Sequence, residues 1–339
     1  MDALDPVAFA RTLVDIDSTT GNEAAICRLL AGWLRDRHYV VTEQDLGNGR
    51  ANLLATTGDA PVVLLSTHLD CVPPFFPSHV ERGTLTGRGA CDAKGILAAQ
   101  VAASERLRAA GERRLGLLFV VGEERGSDGA KAAALLAERV GSRFLINGEP
   151  TESCLASATR GFWHVRMRTR GRAAHSAFPE LGESAITRLI EALAALPALE
   201  LPADPLLGRT TCMVALVSGG VAPNVVPPNA EADVTFRTVG PARDVLARLE
   251  ELRPDVELEH VLEVPPERFR TVPGFESHVF PFTTDAPFLR PYGEVLLFGP
   301  GSARVAHTDH ERIEIGELLA AIDAYERLAR TLLTGEPSA

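Results

Sequence analysis

The chain has 339 residues, 45% of them hydrophobic and 23% charged, with a net charge of −11. That length is too great for one small core and suits two domains, while the acidic balance argues against a nucleic-acid partner. No run of about 18 apolar residues is present, so no membrane span is expected.

The start, Met1-Asp2-Ala3-Leu4-Asp5, lacks a basic stretch before an apolar run and does not read as a signal peptide. The five cysteines, Cys27, Cys71, Cys91, Cys154 and Cys212, are odd in number and include no Cys-x-x-Cys pair. They imply free thiols and a reducing, cytoplasmic location.

Asp5-Pro6 is a cap followed by a first-turn proline and opens the first helix. Asn22 precedes a second helix to about Arg37, with Ile26, Leu29, Leu30, Trp33 and Leu34 at helical spacing. Strands are expected at 39–42, 52–56 and 62–67, the last apolar enough to be buried on both faces. A helix over 93–110, a buried strand over 115–121, a helix after Gly129 and a strand over 144–146 follow. This alternation predicts a three-layer α/β domain with a mostly parallel sheet.

Near Arg160 the texture changes. Residues 163–169 alternate apolar and polar, as in an antiparallel strand with one wet face. A helix over 183–196, strands over 211–218 and 230–238, a helix over 242–252 and a strand over 256–262 complete a small α+β insertion of four antiparallel strands and two helices. The chain then returns through a strand at 295–298 to a helix over 315–333. The expected division is 1–160 with 269–339 as the catalytic domain, and 161–268 as an inserted lid and dimerisation domain.

His68 and Asp70, Asp92, Glu123-Glu124, Glu149 and His307 follow apolar strand-like runs or precede a helix. In a parallel sheet the carboxyl ends of strands share one edge, so these residues can meet there. Several carboxylates in one crevice repel each other, and a multivalent cation removes that cost. Two imidazoles among them favour zinc or another first-row metal over calcium or magnesium. Asp70 can accept the second N–H of His68 and fix its tautomer.

The segments Ser66-Thr67-His68-Leu69-Asp70, Gly87 to Gly95, Gly122-Glu123-Glu124, Gly148-Glu149-Pro150-Thr151, Gly171 to Ser176 and Gly299 to His307 together resemble the M20 metallopeptidase family, in its acetylornithine deacetylase and succinyl-diaminopimelate desuccinylase group. The resemblance implies two divalent metals, taken as zinc with cobalt or manganese as alternatives. His68 and Glu149 would hold one, Glu124 and His307 the other, and Asp92 would bridge. It makes Glu123 the general base acting on a water between the metals, and it implies a cis peptide after Asp92.

It also makes His175 an oxyanion donor supplied to the partner subunit of a homodimer. Asn224 becomes a substrate contact, and Arg237 a carboxylate-binding arginine suited to a planar, bidentate grip. Gly299 and Gly301 read as places where backbone approaches substrate closely.

The Glu149 ligand points to hydrolysis of a small N-acyl amino acid, with N-acetylornithine and arginine biosynthesis as the specific expectation. A dipeptidase or carboxypeptidase of the same family is the alternative, and a non-catalytic metal-binding paralogue the remote one. Cys91 reads as packing, Gly87-x-Gly89 as no nucleotide loop because Asp92 replaces the third glycine, and His310 as a rim residue.

Overall fold

The computed structural model describes residues 4–58, 60–252 and 256–335; Met1, Asp2 and Ala3, part of the acidic start discussed above, lie outside them. In chain order the main elements are helices α1 (Pro6–Val14) and α2 (Ala24–Asp36), strands β1 (Val40–Asp45), β2 (Ala51–Thr56) and β3 (Val63–His68), helix α3 (Lys94–Ala109), and strands β4 (Leu115–Val120) and β5 (Phe144–Asn147). Then come β6 (Gly161–Arg170), α4 (Ala185–Ala195), β7 (Thr211–Gly219), β8 (Asn229–Thr238), α5 (Ala242–Leu252) and β9 (Glu257–Val264). The chain closes with β10 (Glu294–Leu297) and α6 (Ile315–Thr334).

The chain forms two compact units. One holds residues up to 157 with 269–278 and 284–335; the other holds 158–268 and 279–283. Residues 279–283, grouped by sequence with the first domain, cluster with the second unit.

The first unit is built on a mixed six-stranded sheet in the order β1-β2-β4-β3-β5-β10. β1, β2 and β4 pair antiparallel, whereas β4, β3, β5 and β10 run parallel. Successive side chains of a strand face opposite sides. Val63 and Leu65 therefore enter the core against α1, α2, α3 and α6, while Leu64 enters a second core with Leu118, Leu145 and Leu289. This is why residues 62–65 are uninterruptedly apolar. The three-layer α/β expectation holds.

Helix α1 starts at Pro6, where the Asp5 carboxylate accepts the N–H groups of Val7 and Ala8 at 2.9 and 3.1 Å. At α2 the cap position belongs to Glu23 and not Asn22, and no side chain caps it. The Glu23 carboxylate is drawn instead to the Arg50 guanidinium, at 2.8 and 3.0 Å.

The second unit is a four-stranded antiparallel sheet, β7-β8-β6-β9. Trp163, Val165, Met167, Val234 and Phe236 on one face pack against Leu189 of α4 and Val245 and Leu249 of α5. β7 is an edge strand, with Met213, Leu216 and Val217 exposed. Among the described residues no helix is long and apolar enough to cross a membrane.

Candidate metal centre

The parallel strands of the first unit end at one edge, and each delivers chemistry there. β3 is buried throughout and ends in His68. Its Nε2 lies 3.0 Å from Asp92 Oδ1 and its Nδ1 3.0 Å from the carbonyl oxygen of Asp70. The Asp70 carboxylate, the partner expected from the sequence, stands farther from that nitrogen at 3.5 Å. That carboxylate is occupied by other donors: it accepts the backbone N–H groups of Glu123 at 3.0 Å and Glu124 at 3.2 Å, and the Thr20 hydroxyl at 2.8 Å. Burial opposes its charge, but the His68 ring, Thr20 and the Glu123 amide hold it below the ordinary carboxylate value.

Asp92 lies in the loop before α3, and the Asp92–Ala93 peptide is cis. Its two oxygens diverge: Oδ1 faces His68, and Oδ2 lies 3.3 Å from His307 Nε2. The same His307 nitrogen is 2.9 Å from Glu124 Oε1. Glu124 sits in a single 3-10 turn, Glu123–Arg125, entered through left-handed Gly122 just after β4. One oxygen or nitrogen from each of His68, Asp92 and Glu124 falls within 4.8 Å of the others.

The electrostatics of the cluster are unbalanced. Glu123 is pushed well above the ordinary carboxylate value by burial and by Glu149 and Asp285. Glu149, following β5, is raised likewise by burial, with Asp92 and Asp285 adding to it against His68. Burial also raises Glu124, against its His307 bond. Hydrogen bonds to Asp92 and Glu124 lift His307 to about 10. On His68 burial works the other way, yet Asp70, Asp92 and Glu149 still raise it well above normal.

Asp285 is a further member that the sequence did not reveal. Burial lifts it to about 7 against a weak interaction with the Ser127 side chain, and among the described residues neither of its oxygens has a well-formed hydrogen bond. Thr284-Asp285-Ala286-Pro287 reads as a helix start, and Asp285 does occupy the cap position of the short helix at 286–289, but its side chain makes no capping bond.

This donor set fits divalent cations. It offers imidazole nitrogens and carboxylate oxygens, the ligands zinc and its neighbours take. It gathers more buried carboxylates than its two imidazoles can balance, which is costly without added positive charge. Cys91 is not among the donors. It is buried, its Sγ faces the Ser302 carbonyl oxygen at 3.5 Å, and burial pushes its thiol well up. His310 is exposed beside Asp309.

Gly299 and Gly301 are also tightly packed within the chain. A Cβ on Gly299 would meet the Glu149 carbonyl oxygen at 2.4 Å, and one on Gly301, at φ +84°, would meet Cys91 Sγ at 2.5 Å. Both glycines let segments of this chain pack together beside the site.

The remaining predicted residues lie in the second unit. His175 and Asn224 are on neighbouring exposed loops, joined by a bridge between His175 and Val225 and by Ser176 N–H donating to the Asn224 carbonyl at 3.0 Å. Arg237, on β8, is half-buried, lies over the Phe162 ring at 5.0 Å and donates to Thr283 Oγ1 at 3.4 Å. Burial lowers its pKa. Among the described residues no carboxylate pairs with it.

Comparison with known proteins gives a consistent answer. Residues 64–331 match peptidase family M20/M25/M40. A probable carboxypeptidase of Aspergillus clavatus is 37% identical over 372 residues, which is 96% of this chain and 82% of the fungal protein. An M20 family metallo-carboxypeptidase from Sulfolobus solfataricus has the same fold, with a TM-score of 0.79 at 16% identity, covering 98% of this chain and 99% of that one. A dinuclear metal-binding M20 peptidase from Bacillus subtilis is also similar, with a TM-score of 0.71 at 15% identity and 98% of each chain covered.

Proposed function

The chain belongs to peptidase family M20/M25/M40, and on that premise we propose that this metal-dependent hydrolase cleaves the amide bond next to a free α-carboxylate, as a carboxypeptidase or dipeptidase. One observation carries the chemistry: Asp92 turns one oxygen to each of two imidazoles. His68 and Glu149 would hold one divalent ion and His307 and Glu124 the other, with Asp92 between. When bound, such ions polarise an amide carbonyl and make water acidic enough to attack near neutral pH.

The protein's own groups do the rest. Glu123, fixed through its backbone N–H on Asp70, takes the proton of the attacking water and returns it to the leaving amine. Arg237 is a desolvated guanidinium without an acidic partner among the described residues, suited to a substrate carboxylate. Asn224 is a substrate contact beside it in function. His175 supplies a hydrogen bond to the developing oxyanion.

What supports peptide hydrolysis over the N-acetylornithine expectation is the set of curated relatives, which carry carboxypeptidase names over almost the whole chain. Deacylation of an N-acyl amino acid stays as the second reading, favoured by Glu149. Both reactions release an amino acid as the leaving amine and differ only in the acyl group, so substrates separate them. Metal-loaded protein assayed against dipeptides, C-terminally amidated dipeptides and N-acetyl amino acids should turn over the free dipeptides best. Turnover of N-acetyl amino acids alone would reverse the choice, and Glu123→Gln should abolish either activity.

We also assign a homodimer to the second unit, with His175 acting in the partner's site. The support is β7, an unpaired edge whose Leu216 and Val217 are 67% and 59% exposed, the kind of edge that recruits another strand. Leu216→Lys should give a monomer by light scattering; an unchanged dimer would contradict this assembly.

A further inference from the structure

We propose that Glu311 is a positioning residue: its carboxylate fixes the backbone that carries Asp92 to the segment that carries His307. The inference rests on the metal-centre reading and adds to it a residue outside the ligand set.

Glu311 is 1% exposed. Its Oε1 accepts two consecutive backbone N–H groups, Cys91 at 3.2 Å and Asp92 at 3.0 Å. Its Oε2 accepts Arg88 Nη1 at 2.6 Å, and Arg88 is itself buried. Arg88 is anchored in turn, donating from Nε to the Pro74 carbonyl at 3.1 Å and from its backbone N–H to Phe76 at 3.1 Å. The main chain repeats the link, with Gly87 N–H donating to the Glu311 carbonyl at 3.2 Å. Glu311 follows His307 by four positions, and the His307 ring faces Asp92 Oδ2 at 3.3 Å. One side chain therefore joins two segments far apart in sequence, whose ligand groups must meet.

The chemistry demands a carboxylate. Three donors converge on two oxygens, and a glutamine must turn an NH2 toward either the two amides or the guanidinium. Either choice leaves buried donors facing each other. Small shifts of the Asp92 backbone would move both of its oxygens together, and so disturb both imidazole contacts at once. Outer partners of metal ligands typically change metal affinity by about 10–100-fold when altered.

The test uses metal-free full-length protein titrated with cobalt(II), read by visible absorption and by calorimetry. Wild type should take two ions. Glu311→Gln should weaken at least one by about 10–100-fold and alter the cobalt spectrum at saturation, with the melting temperature of the metal-free protein reported alongside. Glu311→Asp, which keeps the charge one methylene short, should show the same spectral change more weakly and serves if the glutamine variant does not fold. Wild-type affinity and an unchanged cobalt spectrum in the variants would overturn the proposal while leaving the metal centre standing. No cobalt uptake by wild type would overturn both.

Discussion

The carboxylate of Asp70 accepts the backbone N–H of Glu123 at 3.0 Å, while the carbonyl of the same Asp70 faces His68 Nδ1 at 3.0 Å. One residue thus sets the orientation of a proposed metal ligand and the position of the proposed base. The buried carboxylate two residues beyond β3 is thereby supplied with donors.

Asp70→Asn should therefore damage catalysis through its side chain, since the carbonyl facing His68 is unchanged. The amide can offer only one oxygen to the Glu123 and Glu124 N–H groups and points an NH2 at a donor. The expected loss in kcat/KM is about 10–100-fold, with metal still bound at saturating concentration. Steady-state kinetics at saturating metal check this, and a wild-type kcat/KM would refute the positioning of Glu123 by the Asp70 carboxylate.

Arg237→Met should raise KM selectively for substrates with a free carboxylate. A hydrogen bond to a charged group contributes about 1.5–3 kcal/mol, so kcat/KM for a dipeptide should fall by roughly 10–100-fold. The weaker activity on the amidated dipeptide should hardly change. Equal losses on both substrates would remove Arg237 from carboxylate recognition.

Metal-free protein should lose stability as pH rises. Burial lifts Asp285 to about 7 from 3.8, and its bonds to Asp92 and Glu124 lift His307 to about 10 from 6.5. In both cases the folded chain binds the proton more tightly than the unfolded chain, so stability falls as pH increases. The Asp285 contribution is full below pH 3.8 and gone above about 7; that of His307 is full below 6.5 and gone above about 10. Each group can add a slope of up to about 1.4 kcal/mol per pH unit. Urea unfolding of chelated protein should show the decline, and Asp285→Asn should flatten it between pH 4 and 7. Superimposable profiles for parent and variant would contradict the placement of Asp285.

Much of this site was legible because its residues sit at strand ends. His68 closes the apolar run of β3, Glu149 follows β5, and the Glu123-Glu124 pair follows β4, so a parallel sheet brings them to one edge. Period and composition report that much.

The supporting groups left no such trace. Asp285 looks like a helix cap, and Arg88 and Glu311 look like solvated charges until the fold buries them together. The close approach of Gly299 to Glu149 and of Gly301 to Cys91 joins positions distant in sequence. The Asp70 contact went to its carbonyl because three other donors claim the carboxylate. Each depends on long-range pairing that local pattern does not encode.

The central claim is that Asp92 stands between two cations. Zinc-soaked crystals measured at the zinc absorption edge test it directly. Two anomalous peaks are predicted, one on each side of the Asp92 carboxylate, the first next to His68 and the second next to His307. No peak beside Asp92, with the two imidazoles still hydrogen-bonded to its oxygens, would contradict the account.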